Sequence, residues 1–164
     1  MKENTFERVD EKLYSEVLDN GIRVFLYPTK KTKNFYISIS VKYGAKVTKY
    51  KLNDKIYDII PGSAHFLEHK MFEQPDGGNA FDKFSKWGAN ANAFTNFTMT
   101  AYLFSATEYF YESLEHLIDY VQTPYFTDEN VEKEKCIIGQ EIGMYDDDPG
   151  WQLYINAMDC LYEK

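Results

Sequence analysis

The chain has 164 residues, enough for one domain or for part of a larger one, and its 14 Tyr and 12 Phe can supply a packed core. The net charge of −8 disfavours nucleic acid, because a phosphate backbone binds basic surfaces. No apolar run is long enough to span a bilayer, and the polar first residues show no signal peptide. The two cysteines fit a reducing compartment, so we expect a cytoplasmic protein that binds neither nucleic acid nor membrane.

The first third of the chain favours strands. "YSEVLDNGIRVFLYP" contains two alternating runs around an Asn-Gly turn and predicts a hairpin. "NFYISISVKYG" alternates with period two and predicts the next strand. The polar stretch from Ala45 to Asp58 is interpreted as a surface excursion, and Pro61-Gly62 then opens a helix.

The rest of the chain mixes helices with one more β segment. We predict helices over about 63–73 and 79–87, the second one ending at Gly88, and β structure in "ANAFTNFTMTAYLFS". An amphipathic helix follows from Glu108 to Gln122, and a long helix runs from an N-cap at Asp128 to about Asp147. A last helix is expected over 151–161. Strands and helices do not alternate strictly, so the predicted class is α+β.

The predicted helix over 63–73 carries the motif "HFLEH". Residues four apart lie on the same face of a helix, so His65 and His69 can direct both imidazoles at one metal ion. Glu68 flanks that face and could act as a base towards a water on the metal. The alternative is a buried helix that carries these residues by chance. Apolar neighbours such as Phe66 and Leu67 favour the metal, because unpaired polar groups among them would be unfavourable.

The third ligand has two candidate sources. His116 is the remaining histidine, but it projects away from the apolar face formed by Phe110, Leu114, Leu117 and Val121, so we expect it in solvent. On the long helix, Glu134 and Glu141 are seven residues apart and flank an apolar stripe of Val131, Ile138, Ile142 and Tyr145. Carboxylates there need a partner, although two glutamates reaching into water remain an alternative.

In combination, "HFLEH", "ANAFT" and "VEKEKCIIGQEIGMYDDDP" resemble the inverzincin zinc peptidases, which include pitrilysin, insulin-degrading enzyme and mitochondrial processing peptidase. The likeness is strongest to a bacterial, processing-peptidase-like branch and covers nearly the whole chain. It implies that His65, His69 and Glu141 bind Zn²⁺, that Glu68 is the general base on a zinc-bound water, and that Glu134 supports the site. The implied activity is a zinc-dependent endopeptidase that hydrolyses peptide bonds of extended peptides.

The resemblance also implies a fold and a substrate site. The family fold is α+β, a mostly antiparallel sheet with helices packed on one face. Asn92 and Ala93 of "ANAFT" match an edge strand to which the peptide substrate adds by backbone pairing. An ordinary strand residue at a close contact is the alternative for Asn92.

One departure concerns the extent of the chain. Family members combine homologous domains, and the half without the zinc motif contributes an Arg/Tyr pair that binds the substrate. We therefore expect residues 1–164 to be an incomplete N-terminal zinc-binding domain, completed by a further homologous domain or partner subunit. On its own it should be weakly active or inactive.

Two other functions stay open. S-ribosylhomocysteine lyase has the same His-x-x-Glu-His helix and a cysteine as third ligand, which here would be Cys136. Cys136 lies on the polar side of its helix, which argues against a lyase. A non-catalytic homologue or partner subunit that binds zinc is the second alternative, and it is disfavoured because such relatives typically lose the motif that is intact here.

Overall fold

The computed structural model describes residues 1–162 and divides into two compact units, Met1–Phe35 and a second one that begins at Tyr36. The first unit is an antiparallel sheet of β1 (Lys2–Phe6), β2 (Glu11–Val17) and β3 (Arg23–Leu26) in that order. The predicted hairpin is confirmed as β2 and β3. The sequence did not predict β1, because its residues are polar and their backbone pairing with β2 leaves no hydrophobic pattern.

The second unit mixes strands and helices. Its elements are β4 (Phe35–Val41, whose first residue belongs to the first unit), β5 (Lys49–Leu52), β6 (Lys55–Asp58), α1 (Ser63–Lys70), α2 (Ala80–Lys86), β7 (Asn90–Thr95), β8 (Thr100–Ala106), α3 (Phe110–Tyr120), α4 (Asp128–Asp146) and α5 (Pro149–Leu161). The strands β4, β8 and β7 form one sheet in that order, in which β7 and β8 are antiparallel. Helices α1, α2 and α3 pack against β7 and β8, so the predicted α+β class is confirmed.

The core of this unit lies between its sheet and its helices. Phe104 on β8 is fully buried, and it packs against Phe84 of α2 with ring centroids 5.3 Å apart. Leu117 and Tyr120 of α3 complete the cluster. Because α1 packs on the same two strands, this core fixes the helix that carries the histidine motif.

The polar stretch from Ala45 to Asp58 is exposed as predicted, but it contains a hairpin that the sequence analysis missed. Strands β5 and β6 pair across Asn53 and Asp54, which both have positive φ. Such two-residue turns favour Asn and Asp, which tolerate this backbone region. Tyr50 and Tyr57 stack across the strands with centroids 5.0 Å apart, so a cross-strand pair stabilises the hairpin without a buried face.

Helix α3 differs from its prediction in the face that it buries. Of the four apolar positions expected, only Leu117 is fully buried, and the other buried residues are Ser113, His116 and Tyr120. The prediction that His116 lies in solvent is therefore wrong. Its Nε2 donates to the backbone carbonyl of Ala80 at 2.9 Å, and its ring packs against Phe84. A satisfied donor in an aromatic pocket makes the burial favourable, and the sequence pattern alone does not show this.

Several helix boundaries also shift. Helix α1 ends at Lys70, three residues earlier than predicted. The N-cap of α4 is Thr127 instead of Asp128, because Thr127 and Asn130 form a reciprocal capping box. The predicted last helix is confirmed as α5, capped by the Asp148 side chain. Within the part of the chain that is described, every helix is too short or too polar to cross a membrane.

Candidate metal centre

Helix α1 brings two imidazoles together on one face. His65 and His69 are separated by one helical turn, and their Nε2 atoms lie 3.1 Å apart with the ring planes at 83°. Both side chains are partly exposed, His65 to 35% and His69 to 26%. This is the geometry that the four-residue spacing predicts.

Helix α4 packs on α1 and adds a carboxylate to the pair. Glu141 places Oε1 3.7 Å from Nε2 of His65 and Oε2 3.6 Å from Nε2 of His69. The three residues form a cluster in which one ligand atom from each lies within 4.8 Å of the others. In a tetrahedral zinc site with metal–ligand distances near 2.1 Å, ligand atoms are about 3.4 Å apart, so this donor set fits Zn²⁺.

Glu134 supports the centre from one side. Its Oε1 accepts a hydrogen bond from Nδ1 of His69 at 2.8 Å, and the residue is only 6% exposed. Because Nδ1 carries the hydrogen, Nε2 of His69 keeps its lone pair for a metal. A carboxylate behind a histidine is a common device in zinc sites, since it fixes the orientation of the ring.

Glu68 lies beside this cluster and is only 7% exposed. Its Oε2 accepts a hydrogen bond of 2.6 Å from the hydroxyl of Thr95 on β7. Glu68 and His69 also line a cleft of about 790 Å³, together with Asn92, Ala93 and Glu134. The site therefore combines three potential metal ligands with a further carboxylate and an open cavity.

Comparison with known proteins decides the family. The model of "Insulinase (Peptidase family M16)" matches residues 25–159. The chain belongs to this family. The M16 family match includes all of the clustered residues described above.

Relatives include longer bacterial proteins that are named zinc proteases. The chain is 48% identical over 161 residues to the uncharacterized zinc protease YmfH of Bacillus subtilis, which covers 97% of this chain and 37% of that protein. It is 27% identical over 142 residues to "Putative zinc protease AlbF" of the same organism, and this match covers 86% of this chain and 33% of AlbF. The crystal structure of an M16-like peptidase from Alicyclobacillus acidocaldarius superposes with a TM-score of 0.88 at 37% identity, over 94% of this chain and 36% of the other. The chain thus spans about a third of the length of these relatives.

The structure brings together every residue that the sequence singled out around the motif: His65, Glu68, His69, Glu134 and Glu141. The stripe predicted on α4 is covered only in part, because Val131 and Ile138 are half-buried whereas Ile142 and Tyr145 are exposed. The fully buried residue of this helix is Glu134, and both Glu134 and Glu141 contact histidines of α1. Polar contacts at the centre therefore help to orient α4.

Cys136, the third ligand required by the lyase alternative, is exposed and does not belong to the donor cluster. Glu141 occupies the place that a cysteine ligand would need. The geometry of the described residues consequently gives no support to the lyase alternative.

Asn92 and Ala93 lie on β7, which is the edge strand of its sheet as described. The backbone N–H of Ala93 donates to Oδ1 of Asn92 at 2.8 Å instead of to a neighbouring strand. Both residues line the cleft next to Glu68. Their predicted role in binding a peptide remains a prediction.

Sequence analysis missed two hydroxyl groups at the site. Thr95 contacts Glu68, and the hydroxyl of Tyr145 lies 3.4 Å from Oε1 of Glu141. The negative charge of Glu141 raises the pKa of Tyr145, so its hydroxyl keeps the proton that it donates. The alternation of β7 could have indicated Thr95, because Ala91, Ala93 and Thr95 share the less exposed face of the strand.

Proposed function

We propose that the chain is the zinc-binding portion of an endopeptidase that hydrolyses peptide bonds in extended peptides. The observation that carries the proposal is the convergence of His65, His69 and Glu141 within 4.8 Å, with Glu68 beside them at an open cleft. The relatives are named zinc proteases, which agrees with this proposal.

His65, His69 and Glu141 would hold the metal. Three protein ligands leave a fourth tetrahedral position open, as catalytic zinc sites require. When bound, Zn²⁺ supplies Lewis-acid chemistry: it polarises a carbonyl group and lowers the pKa of water. Glu134 fixes the tautomer and the ring orientation of His69 through the contact at Nδ1.

Glu68 is the proposed general base. It removes a proton from the water that attacks the scissile carbonyl and returns this proton to the departing amine. Its position within the cleft wall, next to His69, suits both steps. Cleavage then adds one water across the peptide bond, with the carboxylate restored at the end.

The edge of β7 is the proposed binding site for the substrate. An extended peptide can add to an edge strand by main-chain hydrogen bonds, which hold many sequences alike. Asn92 and Ala93 lie on this strand, and the N–H of Ala93, which Asn92 now satisfies, is a donor that a peptide could use instead. Specificity for particular side chains would come from the rest of the cleft.

We further propose that a homologous domain or partner subunit completes the peptidase and supplies an Arg/Tyr pair. The lengths of the relatives support this proposal, because the chain spans about a third of each. The isolated chain should then bind zinc but hydrolyse peptides weakly or not at all.

The test compares two substitutions in the complete peptidase. Glu68→Gln should retain zinc and lose hydrolysis, because it removes the base but no ligand. Glu141→Gln should lose zinc as well as hydrolysis. Glu115→Gln, an exposed position on α3, is the matched control and should change neither property. Zinc content is measured on the purified proteins and turnover with a library of unstructured peptides.

Full turnover by Glu68→Gln would contradict the assigned mechanism. A zinc-loaded wild-type protein that cleaves no peptide, even with its completing domain or subunit, would indicate a non-catalytic homologue.

A further inference from the structure

We infer that Thr95 is the positioning residue for Glu68, holding one carboxylate oxygen so that the other is directed at the reacting water. This inference rests on the proposed function. The main evidence for it is the 2.6 Å contact between the hydroxyl of Thr95 and Oε2 of Glu68. The contact joins β7 to α1, two elements that pack against each other in the described core.

The direction of this hydrogen bond follows from counting hydrogens. Thr100 lies 3.2 Å from Thr95, and its hydroxyl donates to the carbonyl of Tyr43 at 2.8 Å. A hydroxyl has one hydrogen to donate, so Thr100 cannot also donate to Thr95. Thr100 could therefore only accept from Thr95, and Thr95 also has a single hydrogen. This hydrogen goes to Glu68, because the contact of 2.6 Å is shorter than the 3.2 Å contact with Thr100 and a carboxylate is the stronger acceptor.

The surrounding backbone holds Thr95 in place. Thr95 and Thr100 are the directly paired residues at the end of the β7–β8 ladder, next to the turn that joins these strands. The N–H of Ala45 donates to the carbonyl of Asn96 in that turn at 2.9 Å. Gly44 lies so close that an added Cβ would come within 2.4 Å of the same carbonyl oxygen. Segment 43–45 therefore braces the hairpin from which Thr95 extends.

The fixed position of the Thr95 hydroxyl is important because the side chain of a glutamate such as Glu68 is flexible. Three rotatable bonds separate the carboxylate of Glu68 from the backbone of α1, so helix geometry alone does not orient it. A hydrogen bond from a rigid strand removes this freedom and keeps the base next to His69. Loss of the bond should leave the metal ligands intact but misplace the base, and small misplacements lower the rate strongly.

The experiment uses the complete, zinc-loaded peptidase and three substitutions. Thr95→Val removes the hydroxyl and preserves the shape, whereas Thr95→Ser keeps the hydroxyl. Thr98→Val is the matched control, because Thr98 lies in the same hairpin but its hydroxyl contacts only Asn96 in the described contacts. The measurements are kcat and KM, the zinc Kd from chelator competition, and the position of Glu68 in a crystal structure of Thr95→Val.

For Thr95→Val we expect kcat to fall by about 10- to 100-fold. KM and the zinc Kd should stay within about two-fold, because neither peptide binding nor the ligands are touched. Thr95→Ser should restore most of the turnover, and Thr98→Val should resemble the wild type. The carboxylate of Glu68 should leave its present position in Thr95→Val.

Four results would overturn the inference: wild-type kcat in Thr95→Val, loss of zinc in parallel with activity, equal defects in Thr95→Ser and Thr95→Val, or an unmoved Glu68 carboxylate in Thr95→Val. The Glu68→Gln variant separates this inference from the proposed function. If Glu68→Gln retains full turnover, the mechanism is wrong, and the crystal structure alone then decides whether Thr95 positions Glu68. An unmoved carboxylate in Thr95→Val would refute the positioning in that case too.

Discussion

The contact between Glu134 and His69 predicts how strongly a residue outside the ligand set controls zinc affinity. We consider the substitution Glu134→Gln, which keeps the size of the side chain and an oxygen that can accept from Nδ1 of His69. It removes the negative charge from a position that is only 6% exposed. The ligands themselves are unchanged.

The expected magnitude follows from the type of hydrogen bond. A bond to a charged group contributes about 1.5–3 kcal/mol, and a bond between neutral groups about 0.5–1.5 kcal/mol. The difference of about 1–1.5 kcal/mol corresponds to a zinc affinity that is about 5- to 12-fold lower. Glu134→Ala also frees the imidazole to rotate, so we expect a loss of about 10- to 100-fold.

The assay is competition for zinc against a chromophoric chelator at constant pH and ionic strength. Glu132→Gln is the control, because Glu132 lies on the same helix but is exposed and pairs with Lys135. Wild-type zinc affinity in both Glu134 variants would refute the argument, since it would mean that the 2.8 Å contact does not act on the metal centre. An equal loss in Glu132→Gln would attribute the effect to net charge instead of geometry.

Three further predictions concern stability. Gly44→Ala should lower the free energy of unfolding by about 1–3 kcal/mol, because the added Cβ would lie 2.4 Å from the carbonyl oxygen of Asn96. Gly139→Ala on α4, where the added Cβ meets open space, should raise the free energy of unfolding by up to about 1 kcal/mol, and denaturant titration checks both signs. Tyr120→Phe should raise the free energy of unfolding by about 1 kcal/mol in the same assay, because the buried hydroxyl has no hydrogen-bond partner among the described residues. Burial lowers the pKa of His116 below its ordinary value of 6.5. As the pH falls through 6.5, the unfolded state takes up a proton that the folded state lacks, so the free energy of unfolding decreases. His116→Gln should reduce this decrease, which is measured by denaturant unfolding between about pH 7.5 and pH 5.

The convergence of the candidate ligands could be predicted from the sequence because its geometry is mostly local. The four-residue spacing of His65 and His69 determines their relation within a single helix, whatever surrounds it. Glu134 and Glu141 stand out because seven residues bring side chains back to nearly the same face. Strand β4 and the β structure of residues 91–105 were likewise predictable, although the sequence did not divide the latter into β7 and β8.

Features that depend on tertiary contacts were not predictable in this way. The burial of His116 depends on a carbonyl from α2, more than thirty residues away in the sequence. The role of Thr95 depends on a partner on α1, and a single threonine in a strand gives no signal of that contact. The exposure of Ile142 and Tyr145 on α4 was not predictable either, because periodicity identifies an apolar face but does not show whether another element covers it.

The positions of His69 and Glu141 in the chain have a thermodynamic consequence. They are 72 residues apart in sequence, and an ion that joins them acts as a reversible cross-link around everything between them. A link between residues so far apart in sequence would reduce the conformational entropy of the unfolded chain. The binding free energy of the ion would also add to the free energy of unfolding. With the proposed ion bound, α4 would stay docked on α1 for longer, and the segment between the two ligands would resist proteolysis more strongly.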